Sequence, residues 1–236
     1  MGDGLLPLYV TAVTIGFFHT VFGPDHYIPF IAMKKAKNWS LIRTAVLTVL
    51  CGIGHVLSSV LLGATGIVFG IAVLNLESIE SVRGDLAGWA FIAFGLVYTV
   101  WGLRRALKNR AHSHTHFHEE TGTHSHEHSH LEDHVHAHEE KNKTSITPWV
   151  LFTVFFLGPC EPLIPILMYP AAQNSIAGVV GVTLLFGTVT VSTMLGMVMA
   201  LSLGVNVLPL KRVERYSHAL AGLTIFICGV MIQAGL

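Results

Sequence analysis

The sequence predicts an all-α membrane protein: six transmembrane helices in two inverted three-helix repeats, with the first and fourth helices broken by proline. Three observations carry this. Hydrophobic residues make up 52% and charged residues 12% of the 236, against about 25% charged in an ordinary soluble domain. Apolar runs long enough to cross a bilayer lie between a few short charged stretches, and mean hydropathy is +0.60. A set of motifs also recurs once along the chain at a nearly constant displacement.

Six apolar segments follow in order: 5–33, 41–74, 86–103, 148–172, 176–205 and 214–236. The first lacks a basic stretch ahead of it and reads as a retained helix, not a cleaved signal. It breaks near Gly23-Pro24. The second and fifth exceed the roughly 20 residues a span needs, so each is expected to continue as a surface or re-entrant piece. Thirteen of the 14 basic residues fall after the first, third and fifth segments: Lys34, Lys35, Lys37, Arg43, then Arg104, Arg105, Lys108, Arg110, Lys141, Lys143, then Lys211, Arg212 and Arg215. Arg83 is the exception, and no Lys or Arg is expected within a span. The asymmetry places those loops in the cytoplasm and both termini outside, in a bacterial-type inner membrane. The lipid bilayer is the expected partner and nucleic acid is not, because a net charge of zero gives no basic surface. Cys51, Cys160 and Cys228 all lie inside apolar runs, which excludes a disulfide framework.

The repeat divides the chain into 1–110, a His-rich loop at 111–143, and 144–236. Gly23-Pro24-Asp25-His26, followed by Pro29, recurs as Gly158-Pro159-Cys160-Glu161, followed by Pro162 and Pro165, displaced by 135. Gly52-x-x-His55 recurs as Gly187-x-x-Thr190 at the same displacement. Ala87-Gly88 with Gly95 recurs as Ala221-Gly222 with Gly229, displaced by 134. A repeat of three helices must enter the bilayer inverted in its second copy, which is a transporter signature with the site on discontinuous helices.

Proline opens each broken helix at its own acidic residue, since it frees the carbonyl four residues back. Pro159 frees that of Phe155, and Pro24 that of Thr20. Asp25 and Glu161 are the two acidic residues expected within apolar spans, where a buried charge is costly and marks a functional centre. Around them lie His26, His19, His55 and Cys160. Carboxylate, imidazole and thiolate together make a ligand set for a divalent transition metal; magnesium or calcium would want oxygen alone. The bland readings stand beside this one. Asp25 and His26 form an internal ion pair, His19 and His218 donate to freed carbonyls, and Cys160 packs the break as a small apolar residue. Ser58, Ser59 and Thr190 serve helix packing.

The loop holds His112, His114, His116, His118, His124, His126, His128, His130, His134, His136 and His138, with seven carboxylates interleaved between Glu119 and Glu140. Such composition cannot build a packed core and reads as a disordered, unselective metal collector, sensor or buffer. A pH-responsive linker is the alternative.

The stretch FHTVFGPDHYIPF, the GIGHVLSS of the second segment and the central His-rich loop resemble the nickel/cobalt transporter superfamily. The nearest branch is the one named after a urease accessory membrane protein, often grouped with sulfite exporters of the TauE/SafE type. That resemblance implies a metal site at Asp25, His26 and His55. His19, with five residues before Asp25-His26 where the family has four, departs from the pattern. GPCEPLIPIL in turn resembles the Pro-Cys motif of membrane domains that pass electrons between thiols, although Asp25 stands where the partner cysteine belongs. The sequence therefore leads to a secondary transporter of nickel or cobalt, with zinc and copper as further candidates and protons as coupling ion. It is expected to be neither an enzyme nor the holder of a prosthetic group. Export of sulfite or a related sulfur anion is the alternative, and a thiol or electron carrier comes after it.

Overall fold

The computed structural model describes residues 5–108, 112–118, 122–128, 146–207 and 214–235. The helices run α1 (Leu5–Phe22), α2 (Ile28–Lys37), α3 (Leu41–Phe69), α4 (Val73–Lys108), α5 (Thr147–Leu157), α6 (Leu163–Ala172), α7 (Ile176–Val207) and α8 (Ser217–Gln233). Five helical stretches are long and apolar enough to span a membrane: Leu5–Phe22, Leu41–Phe69, Val73–Lys108, Ile176–Gly204 and Glu214–Gln233. The fourth segment is broken at its prolines, as expected, into two short apolar helices, α5 and α6, each too short to cross alone. Large apolar side chains face outward along the bundle, among them Phe22 at 74% and Ile176 at 81% exposure. A water-soluble protein does not present such a surface, and lipid is its natural solvent.

Local chemistry sets the element boundaries. α1 stops at Gly23-Pro24, and Pro24–His26 forms a single 3-10 turn before α2. α5 stops at Gly158-Pro159, and Pro162 caps the start of α6. Ser40 accepts the Arg43 N–H at 3.2 Å and starts α3. Gly70, at φ 63°, ends α3 by returning its N–H to the preceding turn. The second segment thus ends at Phe69 and does not continue to 74.

The third segment differs most from expectation, beginning at Val73 rather than 86. Leu76, Glu80, Gly84, Ala87, Phe91 and Gly95 form one buried stripe, spaced three or four apart as one helix face requires. Four charges between Glu77 and Asp85 disguise that stripe in a hydropathy reading. Glu80 and Arg83 therefore lie inside a helix of the bundle, which corrects the expectation of two acidic residues and no basic one within the spans.

Helix contacts follow an exchange pattern. Swapping α1–α4 with α5–α8 maps the α1–α7 contact onto α3–α5 and α2–α8 onto α4–α6, while α4–α8 and α3–α7 map onto themselves. At the α4–α8 seam, a Cβ on Gly229 would lie 2.9 Å from the Gly88 carbonyl, and one on Gly95 2.8 Å from the Gly222 carbonyl. Only hydrogen in place of a side chain lets these backbones meet. The short α2 lies inside the bundle, with Phe30 and Met33 fully buried against Phe91, Phe155 and Ile225.

Outside the helices, His112–His118 and Gly122–His128 pair as an antiparallel ribbon, β1 and β2, with His112 opposite His128. An unstructured segment was expected there. The His-x-His alternation has the period of two that a strand uses. His130, His134, His136 and His138 lie outside the described residues.

Candidate functional site

Both proline breaks line one cavity of about 580 Å³. Gly23, Asp25 and His26 come from the first break; Gly158, Pro159, Glu161 and Pro162 come from the second. His19 from the last turn of α1 and His55 from α3 complete its polar wall, and Phe91 and Phe155 are among its apolar residues. Irregular backbone is tolerable at membrane depth where it is buried in protein or lines such a space.

Three imidazoles converge at this wall. Ring centroids lie 4.8 Å apart for His19 and His26, 5.0 Å for His26 and His55, and 6.4 Å for His19 and His55. One ring nitrogen from each lies within 4.8 Å of the other two. Nδ1 of His26 stands 3.1 Å from the Gly23 carbonyl and 3.2 Å from Asp25 Oδ1. Nδ1 of His55 stands 3.4 Å from the Phe155 carbonyl, the group that Pro159 releases from α5. A carbonyl only accepts, so each Nδ1 carries the hydrogen and each Nε2 keeps a lone pair. The Nε2 atoms of His19, His26 and His55 are all buried without a hydrogen-bond partner among the described residues. Buried polar atoms are ordinarily paired, and Nδ1–H held by a carbonyl with Nε2 free is the arrangement of a metal-binding histidine.

Gly23 makes the cluster possible. A Cβ there would stand 2.5 Å from His26 Nδ1 and 3.0 Å from Asp25 Oδ1. A first-row ion at about 2.0–2.1 Å from three nitrogens sets them roughly 3.3 Å apart. Binding would therefore draw these rings inward by about 1 Å.

The remaining sequence-derived candidates are placed differently. Asp25 is half-buried, lines the cavity and orients His26. Glu161 lines the cavity but is outside the three-nitrogen cluster. Cys160 is fully buried among Ala12, Val56, Leu163 and Phe186, and its N–H donates to Ser59 Oγ at 3.1 Å. His218 meets the Tyr98 hydroxyl at 2.8 Å through Nδ1 and plays no part in the cavity. Sequence reading missed Glu80 and Arg83. Arg83 donates to Glu80 Oε1 at 2.9 Å, to Ser58 Oγ at 2.6 Å and to the Phe156 carbonyl at 2.9 Å. Their signal was the i, i+3 spacing of opposite charges within a helical apolar stripe.

A family model described as the cytochrome c biogenesis protein transmembrane region matches residues 28–231. The chain belongs to that family and is a multi-pass membrane protein. No curated protein and no solved structure matches it. The resemblance to the nickel/cobalt transporter superfamily and its urease-accessory branch is thereby corrected. It rested on two short motifs around the first break and His55, on the six spans and on the His-rich loop, whereas the family match runs from residue 28, at the start of α2, to residue 231 in α8. Nothing in that match supports nickel or cobalt, and it favours passage of electrons over passage of metal ions.

Proposed function

We propose that this member of the cytochrome c biogenesis family carries reducing equivalents across the membrane, through a redox-active metal ion held by His19, His26 and His55. The observation that carries the reading is the convergence of three buried, unpartnered Nε2 atoms on a cavity shared by both broken helices. Haem attachment to a c-type cytochrome uses the thiols of Cys-x-x-Cys-His, and these must be reduced on a side of the membrane kept oxidising. Electron passage is what such a membrane region has to supply.

A thiol pair is a poor candidate for the carrier group in this chain. Cys160 packs in one apolar cluster, Cys51 in the other, and Cys228 is buried on α8. All three are free. Imidazoles favour copper above the other divalent first-row ions, and copper exchanges a single electron between two valences. Asp25 would supply a negative charge beside a bound ion, and its contact with His26 Nδ1 leaves Nε2 as the nitrogen that would hold it. The exchange pattern of helix contacts and the paired glycines support an inverted repeat with the ion at its interface. The basic ends of α2 and α4 support a cytoplasmic position for that side in an inner membrane.

A second reading, in which the metal is itself the cargo, draws on the same nitrogens and on the His-rich segment. Sulfite export finds no cationic side chain in the cavity lining. One assay separates these. The full chain is loaded with copper in liposomes that entrap oxidised cytochrome c, and ascorbate is added outside. Reduction of the entrapped haem by the loaded protein, lowered at least about tenfold by His26→Gln or His55→Gln, is the expected result. Copper appearing inside without haem reduction would establish the second reading. Equal haem reduction with and without copper would refute the first.

A further inference from the structure

A second polar centre lies behind the second break. Glu77, Glu80, Ser81, Glu161 and Pro162 line a cavity of about 450 Å³. Glu80 is 1% exposed. Its Oε1 holds Arg83, the Ser59 hydroxyl of α3 lies beside the carboxyl, and Oε2 is buried with no hydrogen-bond partner in the geometry of the described residues. An unpartnered carboxylate oxygen at that depth is costly unless something binds there. Arg83 uses its other nitrogen on Ser58 of α3 and on the Phe156 carbonyl near the end of α5. One guanidinium thus ties α4, α3 and the broken helix together, and the tie is anchored on Glu80.

The geometry points to Glu80 as a proton-exchange site: Oε2 takes a proton from water in the acidic cavity, Arg83 leaves Oε1, and the tie on the α5 end loosens. The carboxylate becomes a carboxylic acid, and the same proton returns to the cavity when the tie re-forms. A partly buried guanidinium without a counter-charge is unfavourable, so Arg83 turns toward the other carboxyl groups of the cavity, Glu77 and Glu161. That movement takes it off Phe156. The groups facing Glu80 are Glu77 and Arg83 on its own helix, the uncharged Ser58 and Ser59 on α3, and Cys160 and Glu161 at the break. No histidine lies among them; His55 sits a helical turn away, with its nitrogens in the other cavity. The inference goes beyond the proposed electron path, and its readout does not depend on what the carrier moves.

Hydrogen exchange of the full chain in lipid nanodiscs tests it, with rates corrected for intrinsic pH dependence. Lowering pH from about 8 to about 5, across the range of a buried carboxyl, should reduce protection of residues 155–162 by at least about fivefold, a modest coupling between sites. Glu80→Gln, permanently neutral, should show the low protection at every pH, and Glu80→Asp should retain the step. An infrared pH-difference spectrum should carry a carboxylic-acid band that Glu80→Gln removes. A pH-independent wild type, or a step that survives in Glu80→Gln, would overturn the assignment. If Glu80→Gln does not fold, Arg83→Gln answers the same question. High protection at residues 155–162 in that variant shows that the tie does not hold the break.

Discussion

Gly23→Ala tests the metal site while leaving all three histidines in place. Gly23 has φ −88° and ψ 90°, a conformation alanine adopts freely, so the backbone carries no penalty. The cost is steric. The new methyl would stand 2.5 Å from His26 Nδ1 and 2.8 Å from its Cε1, and ordinary contact needs the ring to withdraw by about 1 Å. Metal–ligand distances tolerate only about 0.2 Å, so a retreat of that size removes His26 as a ligand or forces a poor one. It also strips Nδ1 of its Gly23 carbonyl. Losing such support typically weakens metal binding 10- to 100-fold, about 1.4–2.7 kcal/mol. Crowding alone costs stability about 1–3 kcal/mol.

Gly70→Ala is the contrast that loses stability alone. Gly70 sits at φ 63° with nothing within 4 Å of a Cβ, so alanine there costs about 1–2 kcal/mol of stability from the left-handed backbone and leaves binding unchanged. Copper titration against a competing chelator reads the difference, in a background where the eleven histidines of 112–138 are serine. Gly23→Ala binding copper within about twofold of its parent would refute the three-nitrogen site.

Cys160→Ala should leave copper-dependent electron passage within about twofold of wild type, since its thiol lies in an apolar cluster away from the imidazoles; loss of passage would return the role to a thiol. Gly95→Leu should lower stability by at least about 3 kcal/mol, because the side chain would meet the backbone of Gly222 and Phe226. A thermal melt in detergent unchanged from wild type would show that α4 and α8 do not pack as described.

The breaks were legible because proline acts on its own helix, and Gly23-Pro24 and Gly158-Pro159 announce themselves without tertiary context. That both line one cavity agrees with the matching of the two Gly-Pro pairs along the chain. His19 was harder. On an unbroken helix its distance from His26 is two turns, but the 3-10 turn at Pro24–His26 folds the second ring back to 4.8 Å from the first. Cys160 and Glu161 look like a pair because they are adjacent in sequence. In the turn they point apart, the thiol into the apolar cluster and the carboxylate to both cavities. Glu80 was invisible because burial of an ion pair is decided by neighbouring helices, while the four charges of 77–85, its own included, made that stretch read as a loop.

The two polar centres meet on consecutive carbonyls. Phe155 O accepts from His55 of the imidazole cluster, and Phe156 O accepts from Arg83 of the acidic cavity. Both belong to the last turn of α5, whose carbonyls have no partner within their own helix. The side chains that satisfy them come from, or are anchored on, one stretch of α3: His55 directly, and Arg83 through Ser58. Ser59, the next residue, fixes the far side of the break through the Cys160 N–H. A displacement of the α5 end large enough to free Phe156 therefore moves Phe155 as well and alters what holds His55 Nδ1. That hydrogen bond sets the direction of the Nε2 lone pair, so protonation at Glu80 would change how well the cluster holds an ion. Coupling of this kind is typically worth about 1–3 kcal/mol and acts equally in reverse: an ion that fixes His55 also favours the tied, unprotonated Glu80. The broken helix thus links the two sites through two adjacent peptide groups, without any long-range rearrangement of the bundle.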